Sequence, residues 1–79
     1  MKVEVHLFAS FTKYLPEDAE GHRIWMELEE GTTVEQVIVE LGVPLDHVKL
    51  VFLNNVKAPM DTVLKEGDRM GAFPPVAGG

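Results

Sequence analysis

Few residues of this chain could carry chemistry, and they are unevenly placed. The last six, Pro74-Pro75-Val76-Ala77-Gly78-Gly79, lose side-chain bulk step by step until only backbone is left. Two prolines stop a strand and turn the chain outward. Five residues drawn out from Pro75 reach at most roughly 17 Å. Such a thread, with the Gly79 carboxylate at its tip, is shaped for delivery into a narrow site of another protein, because glycine lets backbone approach reacting groups most closely. A frayed terminus is the bland reading, and the dipeptide alone does not choose between the two.

Other candidates are weaker. His6, His22 and His47 lack paired helical spacing, and no cysteine assists them, so packed or solvated histidines are expected rather than a metal site. His6 and His22 are placed to face each other across strands. Glu27, Glu29 and Glu30 fall at a strand end with no pocket to raise a carboxyl pKa, which makes them a solvated acidic run. Gly67-Asp68-Arg69-Met70-Gly71 lacks the Lys-Ser/Thr pair of a phosphate loop. Ser10, the only serine, stands between Ala9 and Phe11 and has no carrier-serine setting. The absence of cysteine removes disulfides and thiolate nucleophiles together.

With 79 residues the chain makes one domain with one small core, burying roughly 63% of its unfolded surface. That leaves little room for an enzyme site of its own. The net charge of −6 repels phosphate backbones and anionic lipid, so neither nucleic acid nor membrane is expected as a partner, and a basic protein face would be steered towards it. The longest run free of Asp, Glu, Lys and Arg, Met70 to Gly79, falls far short of the ~20 residues that span a bilayer. The start, Met1-Lys2-Val3-Glu4, is not a signal peptide, so a cytoplasmic protein is expected.

The positioning elements follow from periodicity. Residues 2–8 alternate, with Val3, Val5 and Leu7 on one side and His6 and Phe8 on the other. Residues 9–21 read as loop, with Phe11, Tyr14 and Leu15 folded back as a turn. Residues 22–29 form a second strand, with Ile24, Met26 and Leu28 opposed to Trp25. Val34, Val37, Ile38 and Leu41 make one apolar stripe, so 33–41 is the helix; Thr32 with Glu35 predicts a capping box, and Gly42 with Pro44 the stop. Residues 48–53 are a nearly continuous apolar run, as in a strand covered on both faces or central in a sheet. Asn54-Asn55 predicts a tight turn into a short return strand from Val56, and 69–73 form the last strand. The order is β-β-α-β-β-β, an α+β fold with a mixed sheet over 1–73 and a flexible tail over 74–79. One helix covers one face, which leaves His6, Phe8, Trp25 and Phe73 as an open patch suited to docking.

These features together resemble the MoaD/ThiS sulfur carriers, ubiquitin-like β-grasp proteins that include the small subunit of molybdopterin synthase. The resemblance spans the chain. It rests on Leu7-Phe8-Ala9, Gly31-Thr32-Thr33-Val34, Leu64-Lys65-Glu66-Gly67-Asp68 and, above all, Phe73-Pro74-Pro75-Val76-Ala77-Gly78-Gly79. It implies that an ATP-dependent activating enzyme adenylates the Gly79 carboxylate. A sulfur donor then converts it to a thiocarboxylate, and a second enzyme, such as the large subunit of molybdopterin synthase, accepts the sulfur. The chain itself would be a co-substrate without catalytic groups or a resident cofactor, ATP being used by its partner. The resemblance also implies interface roles for Phe8 and Phe73 and for a position near Val56-Lys57; strand parity adds Trp25. Ser10-Phe11-Thr12 stands where molybdopterin-specific members often carry Arg-Glu, and Asn55 where glycine is common, which leaves the pathway open among molybdopterin, a tungsten variant, thiazole, RNA thiolation and another sulfur product. A ubiquitin-like adaptor and a protein-conjugation modifier are the alternatives of other classes.

Overall fold

The computed structural model describes residues 1–75; the expectations for Val76, Ala77, Gly78 and Gly79 lie outside the described residues. Five strands and three helical segments follow in the order β1 (Lys2–Leu7), a 3-10 helix (Ala9–Tyr14), β2 (Arg23–Glu27), α1 (Val34–Glu40), a 3-10 turn (Leu45–His47), β3 (Leu50–Leu53), β4 (Val56–Lys57) and β5 (Arg69–Phe73). The sheet order is β2-β1-β5-β3-β4. Strands β1 and β5 pair in parallel at its centre, and all other pairs are antiparallel. This is the expected mixed sheet with one main helix.

Alternation in β1 sorts its residues as expected. Val3, Val5 and Leu7 are fully buried beneath α1 with Met70 and Ala72 from β5. Helix α1 adds Val34, Val37 and Ile38 to the same core. Ile24 and Leu28 close it from the β2 side, Phe11 from the 3-10 helix.

The helix starts one residue later than predicted. Thr33, not Thr32, is the N-cap: its hydroxyl accepts from the Gln36 amide at 3.3 Å, and the Gln36 side chain accepts from the Thr33 amide at 2.8 Å. The Thr32 hydroxyl donates instead to the Glu29 carbonyl. Two adjacent threonines, each followed three residues on by an acid or amide, offer the same pattern twice. The choice is made at long range, because the Thr32 carbonyl accepts from the Leu64 amide and Thr33 bridges Val63. The stop is as predicted. Gly42 has φ +85°, the Gly42 amide donates to the Val39 carbonyl and the Val43 amide to the Ile38 carbonyl, a Schellman closure.

The apolar run 48–53 is neither central nor covered on both sides. Strand β3 lies next to the edge; Val51 is buried, whereas Phe52 and Leu53 are only partly so. Its continuous apolar character reflects a core face and a second, open face that is itself apolar. Asn54 and Asn55 both take positive φ, 51° and 70°, as a two-residue type I′ hairpin requires. No helix among the described residues is long and apolar enough to cross a membrane.

Ile38 is fully buried at the centre of the helix–sheet contact. Ile38→Ala should lower unfolding free energy by about 2–4 kcal/mol, read as a shift in the urea midpoint with an unchanged slope.

Candidate functional site

With α1 on one side, the register assigns the other side of the sheet residue by residue. Directly paired residues share a face. One row therefore crosses all five strands: Arg23, His6, Gly71, Phe52 and Lys57. A second runs Trp25, Glu4 and Arg69. Phe73 pairs with Leu50 on the same side, and Phe8 follows β1 alongside, its amide donating to the Ala72 carbonyl at 3.3 Å.

These positions build an aromatic cluster. Phe8 and Phe73 stack nearly parallel, 5° apart in plane, with centroids separated by 4.2 Å. Phe52 meets Phe73 edge-on at 5.7 Å. On the other flank His22 lies 4.8 Å from Phe8 and 5.2 Å from His6. Offset and edge-on aromatic pairs of this kind contribute about 0.5–1.5 kcal/mol each beyond burial. Gly71 makes the stack possible, since a Cβ there would come within 3.0 Å of Phe8 Cε2. Phe8, Phe52, Phe73, His6, Asn55 and Arg69 surround an open depression of about 380 Å³.

Beside the cluster runs a short polar chain. The Glu4 carboxylate, largely buried, accepts from Arg23 Nη1 at 3.2 Å and lies 3.4 Å from His6 Nε2. His6 Nε2 is itself buried without a hydrogen-bond partner among the described residues.

The sequence-derived patch is thus brought together only in part. Phe8 and Phe73 form its centre, with His6 against Phe8. Trp25 shares the face and is 53% exposed, but it sits across Glu4 from the stack and joins none of its contacts. Val56 is exposed at the sheet edge, yet it pairs with Leu53 and so belongs to the helix side; Lys57 takes the open-face position. Phe52, His22 and Arg69 are the residues that strand-by-strand parity left unassigned. Phe52 could have been found from its alternation with Val51, and Arg69 from alternation with Met70. His22 precedes β2 and carries no periodic signal. Pro74 is half-buried and Pro75 exposed where the chain leaves β5.

The expected pairing of His6 with His22 is seen, and His47 lies elsewhere, on the turn after α1. Among the described residues no group of three or more His, Cys, Asp or Glu side chains could hold a metal. Glu27 and Glu29 line a separate acidic hollow with Thr32, Gln36 and Glu40.

A five-stranded mixed sheet grasping one helix, with its other face open, defines a ubiquitin-like β-grasp protein. A model of the family Mut7-C ubiquitin matches residues 1–78, and the chain belongs to this family, of MoaD/ThiS-like character. No curated protein matches it. Among solved structures, it is similar to a Pyrococcus furiosus protein provisionally named molybdopterin converting factor, subunit 1, with 30% identity over 95% of this chain and 98% of that one, and a TM-score of 0.71. The Haloferax volcanii protein HVO 2177 shares 27% identity over 100% of this chain and 87% of that one, with a TM-score of 0.76. SAMP1 from Haloferax volcanii, 23% identical over the full length of both chains, has the same fold at a TM-score of 0.74.

A β-branched residue at Gly71 should break the cluster. Gly71→Val is expected to drive the Phe8 ring off Phe73 and cost about 1–3 kcal/mol through overpacking. Loss of the upfield ring-current shifts of the Phe8 and Phe73 protons, with the amide spectrum of α1 preserved, is the check.

Proposed function

We propose that this protein is a sulfur carrier that works through its C-terminal glycines. The Gly79 carboxylate attacks the α-phosphorus of ATP in an activating enzyme, releasing pyrophosphate and forming an acyl-adenylate. A sulfur donor then displaces AMP and leaves a thiocarboxylate. In a second enzyme the thiocarboxylate sulfur attacks the acceptor, and water restores the carboxylate. A carboxylate is a poor electrophile, so adenylation supplies the leaving group. The thiocarboxylate is a good nucleophile that requires no cysteine, in keeping with a chain that has none.

The observation that carries this reading is a continuity. The Phe8–Phe73 stack sits at the end of β5, and Pro74-Pro75 leads from it into Val76-Ala77-Gly78-Gly79. An aromatic face at the end of β5 and a side-chain-poor sequence after it suit a carrier whose chemistry happens inside its partners. The Pyrococcus relative supports a molybdopterin pathway, with a large synthase subunit as the sulfur-accepting partner. A Helicobacter pylori complex of subunits 1 and 2 of molybdopterin-converting factor contains a chain of this fold. Protein conjugation is the second reading, since a lysine amine can attack the same acyl-adenylate, and a small archaeal modifier protein of Haloferax volcanii also shares the fold. The catalytic groups belong to the partners in either case, and the cytoplasm, which holds ATP and sulfide donors, is the proposed site of action.

Two measurements test the proposal. Protein from the native host should include a fraction heavier by one oxygen-to-sulfur exchange at Gly79. Lysine adducts in place of that fraction favour conjugation, and neither form, even after incubation with activating enzyme, ATP and sulfide, favours the adaptor. Deleting Gly79, or changing Gly78→Val, should abolish adenylation while leaving the thermal unfolding midpoint unchanged, because the core cluster lies between Val3 and Ala72.

A further inference from the structure

The open face has a charge character opposite to that of the chain. Lys2, Arg23, Lys57 and Arg69, of seven cationic side chains, occupy its register positions. The strand carboxylates on that face are Glu4 and Glu27, and both are engaged: Glu4 with Arg23 at 3.2 Å, Glu27 with the Met1 amine at 3.2 Å. The exposed acids Glu35 and Glu40 lie on α1, on the other side of the sheet. An overall charge of −6 therefore hides a cationic docking face.

Arg69 stands out among these cations. It lies on the rim of the depression formed with Phe8, Phe52 and Phe73. Its backbone is fixed, because the Arg69 amide donates to Asn54 Oδ1 at 3.0 Å and the Asn54 amide donates to the Arg69 carbonyl at 2.8 Å. The adjacent carboxylate, Asp68, is occupied elsewhere: Oδ1 accepts from Asn54 Nδ2 at 2.9 Å and Oδ2 from the Lys65 amide at 2.8 Å. Among the described residues no carboxylate lies within ion-pairing distance of the Arg69 guanidinium. A strand-mounted guanidinium beside an apolar hollow is preset for one chemistry, a carboxylate next to an apolar side chain. Guanidinium binds carboxylate through two parallel hydrogen bonds, and neighbouring aromatic surface shields the pair from water.

We infer that the open face docks a partner-protein segment that places an Asp or Glu beside an apolar side chain. The apolar group fills the hollow among Phe8, Phe52 and Phe73, and the carboxylate pairs with Arg69, with Lys57 in the adjoining row as a second, looser cation. The inference rests on the carrier reading and names the partner chemistry of that same face. It reverses the expectation from net charge, under which a basic partner would be drawn to the protein.

The test is ATP–pyrophosphate exchange by the activating enzyme of the source organism, with this protein as the varied substrate. Arg69→Glu should raise KM by at least about tenfold and Arg69→Gln by less, both with kcat unchanged, because docking is lost while the tip chemistry is kept. High salt should raise the wild-type KM by a larger factor than that of Arg69→Gln, which keeps only the looser cations. Glu35→Lys and Glu40→Lys on α1 should change KM by less than about twofold. Far-UV circular dichroism confirms that the exposed substitutions keep the fold. A wild-type KM for Arg69→Glu overturns the inference while the carrier reading stands, and so does a wild-type dimer that Arg69→Glu dissociates. No exchange with the wild type overturns both.

Discussion

The parallel pairing of β1 with β5 is the constraint on which the rest depends. It joins the two ends of the chain at the centre of the sheet, in the register His6 to Gly71 and Leu7 to Ala72. One further step along both strands brings Phe8 beside Phe73. A slip of one residue would turn every core side chain of β5 outward: Met70 and Ala72 would leave the interior, and Phe73 would enter it. The same register puts a glycine under the Phe8 ring, where a Cβ would stand 3.0 Å away. Core packing on one face and the aromatic stack on the other are therefore fixed by a single alignment. A change of register would disrupt both.

From this alignment follows the division of the molecule into two sides. One helix suffices to bury one face of a short sheet, and the core residues Val3, Val5, Leu7, Val34, Val37 and Ile38 are used up there. The opposite face must meet water with what remains, and here it holds three phenylalanines, Trp25, two histidines, four cations and the strand carboxylates Glu4 and Glu27. Polar pairing moderates the exposure: Glu4 is neutralised by Arg23 and flanked by His6, and Asp68 is tied to Asn54 and the Lys65 backbone. The hairpin turn thus does more than reverse the chain. Asn54 accepts the positive φ that the turn demands, orients Asp68, and pins the backbone of Arg69.

Much of this was legible in the sequence, for local reasons. Alternation fixed the sidedness of β1 and β2, and the stripe Val34, Val37, Ile38 together with Gly42 fixed the helix and its stop. What escaped was non-local. Thr32 and Thr33 compete for the cap on equal local terms, and hydrogen bonds from residues 62–64 settle the choice. The face of Val56 depends on which residues of β3 and β4 oppose each other, and the turn at Asn54-Asn55 pairs Val56 with Leu53 and Lys57 with Phe52. The open-face role of Phe52 was hidden because an apolar run looks the same whether its second face is buried or bare. Net charge is blind in a similar way, since a sum over the chain says nothing of how two faces share it.

On the proposed carrier reading, a protein that visits successive enzymes would gain from such a face because it is not a strong binder everywhere. Tight, purely apolar docking would slow release, and most differences in affinity are differences in dissociation rate. A cation preset at the edge of a small hollow adds speed and selectivity to encounter more than it adds lifetime to the complex. The aromatic stack supplies a rigid platform whose side chains lose little freedom on binding, so the ordering cost on this face would fall mainly on the partner. On that reading, recognition and chemistry would be separated along the sequence: residues 69–73 of β5 would be read by contact, and the glycines that follow in sequence, having no side chains, by backbone alone. Under the proposed function, that separation would let a chain of 79 residues without a cysteine take part in group transfer while the catalytic demand falls on a larger protein.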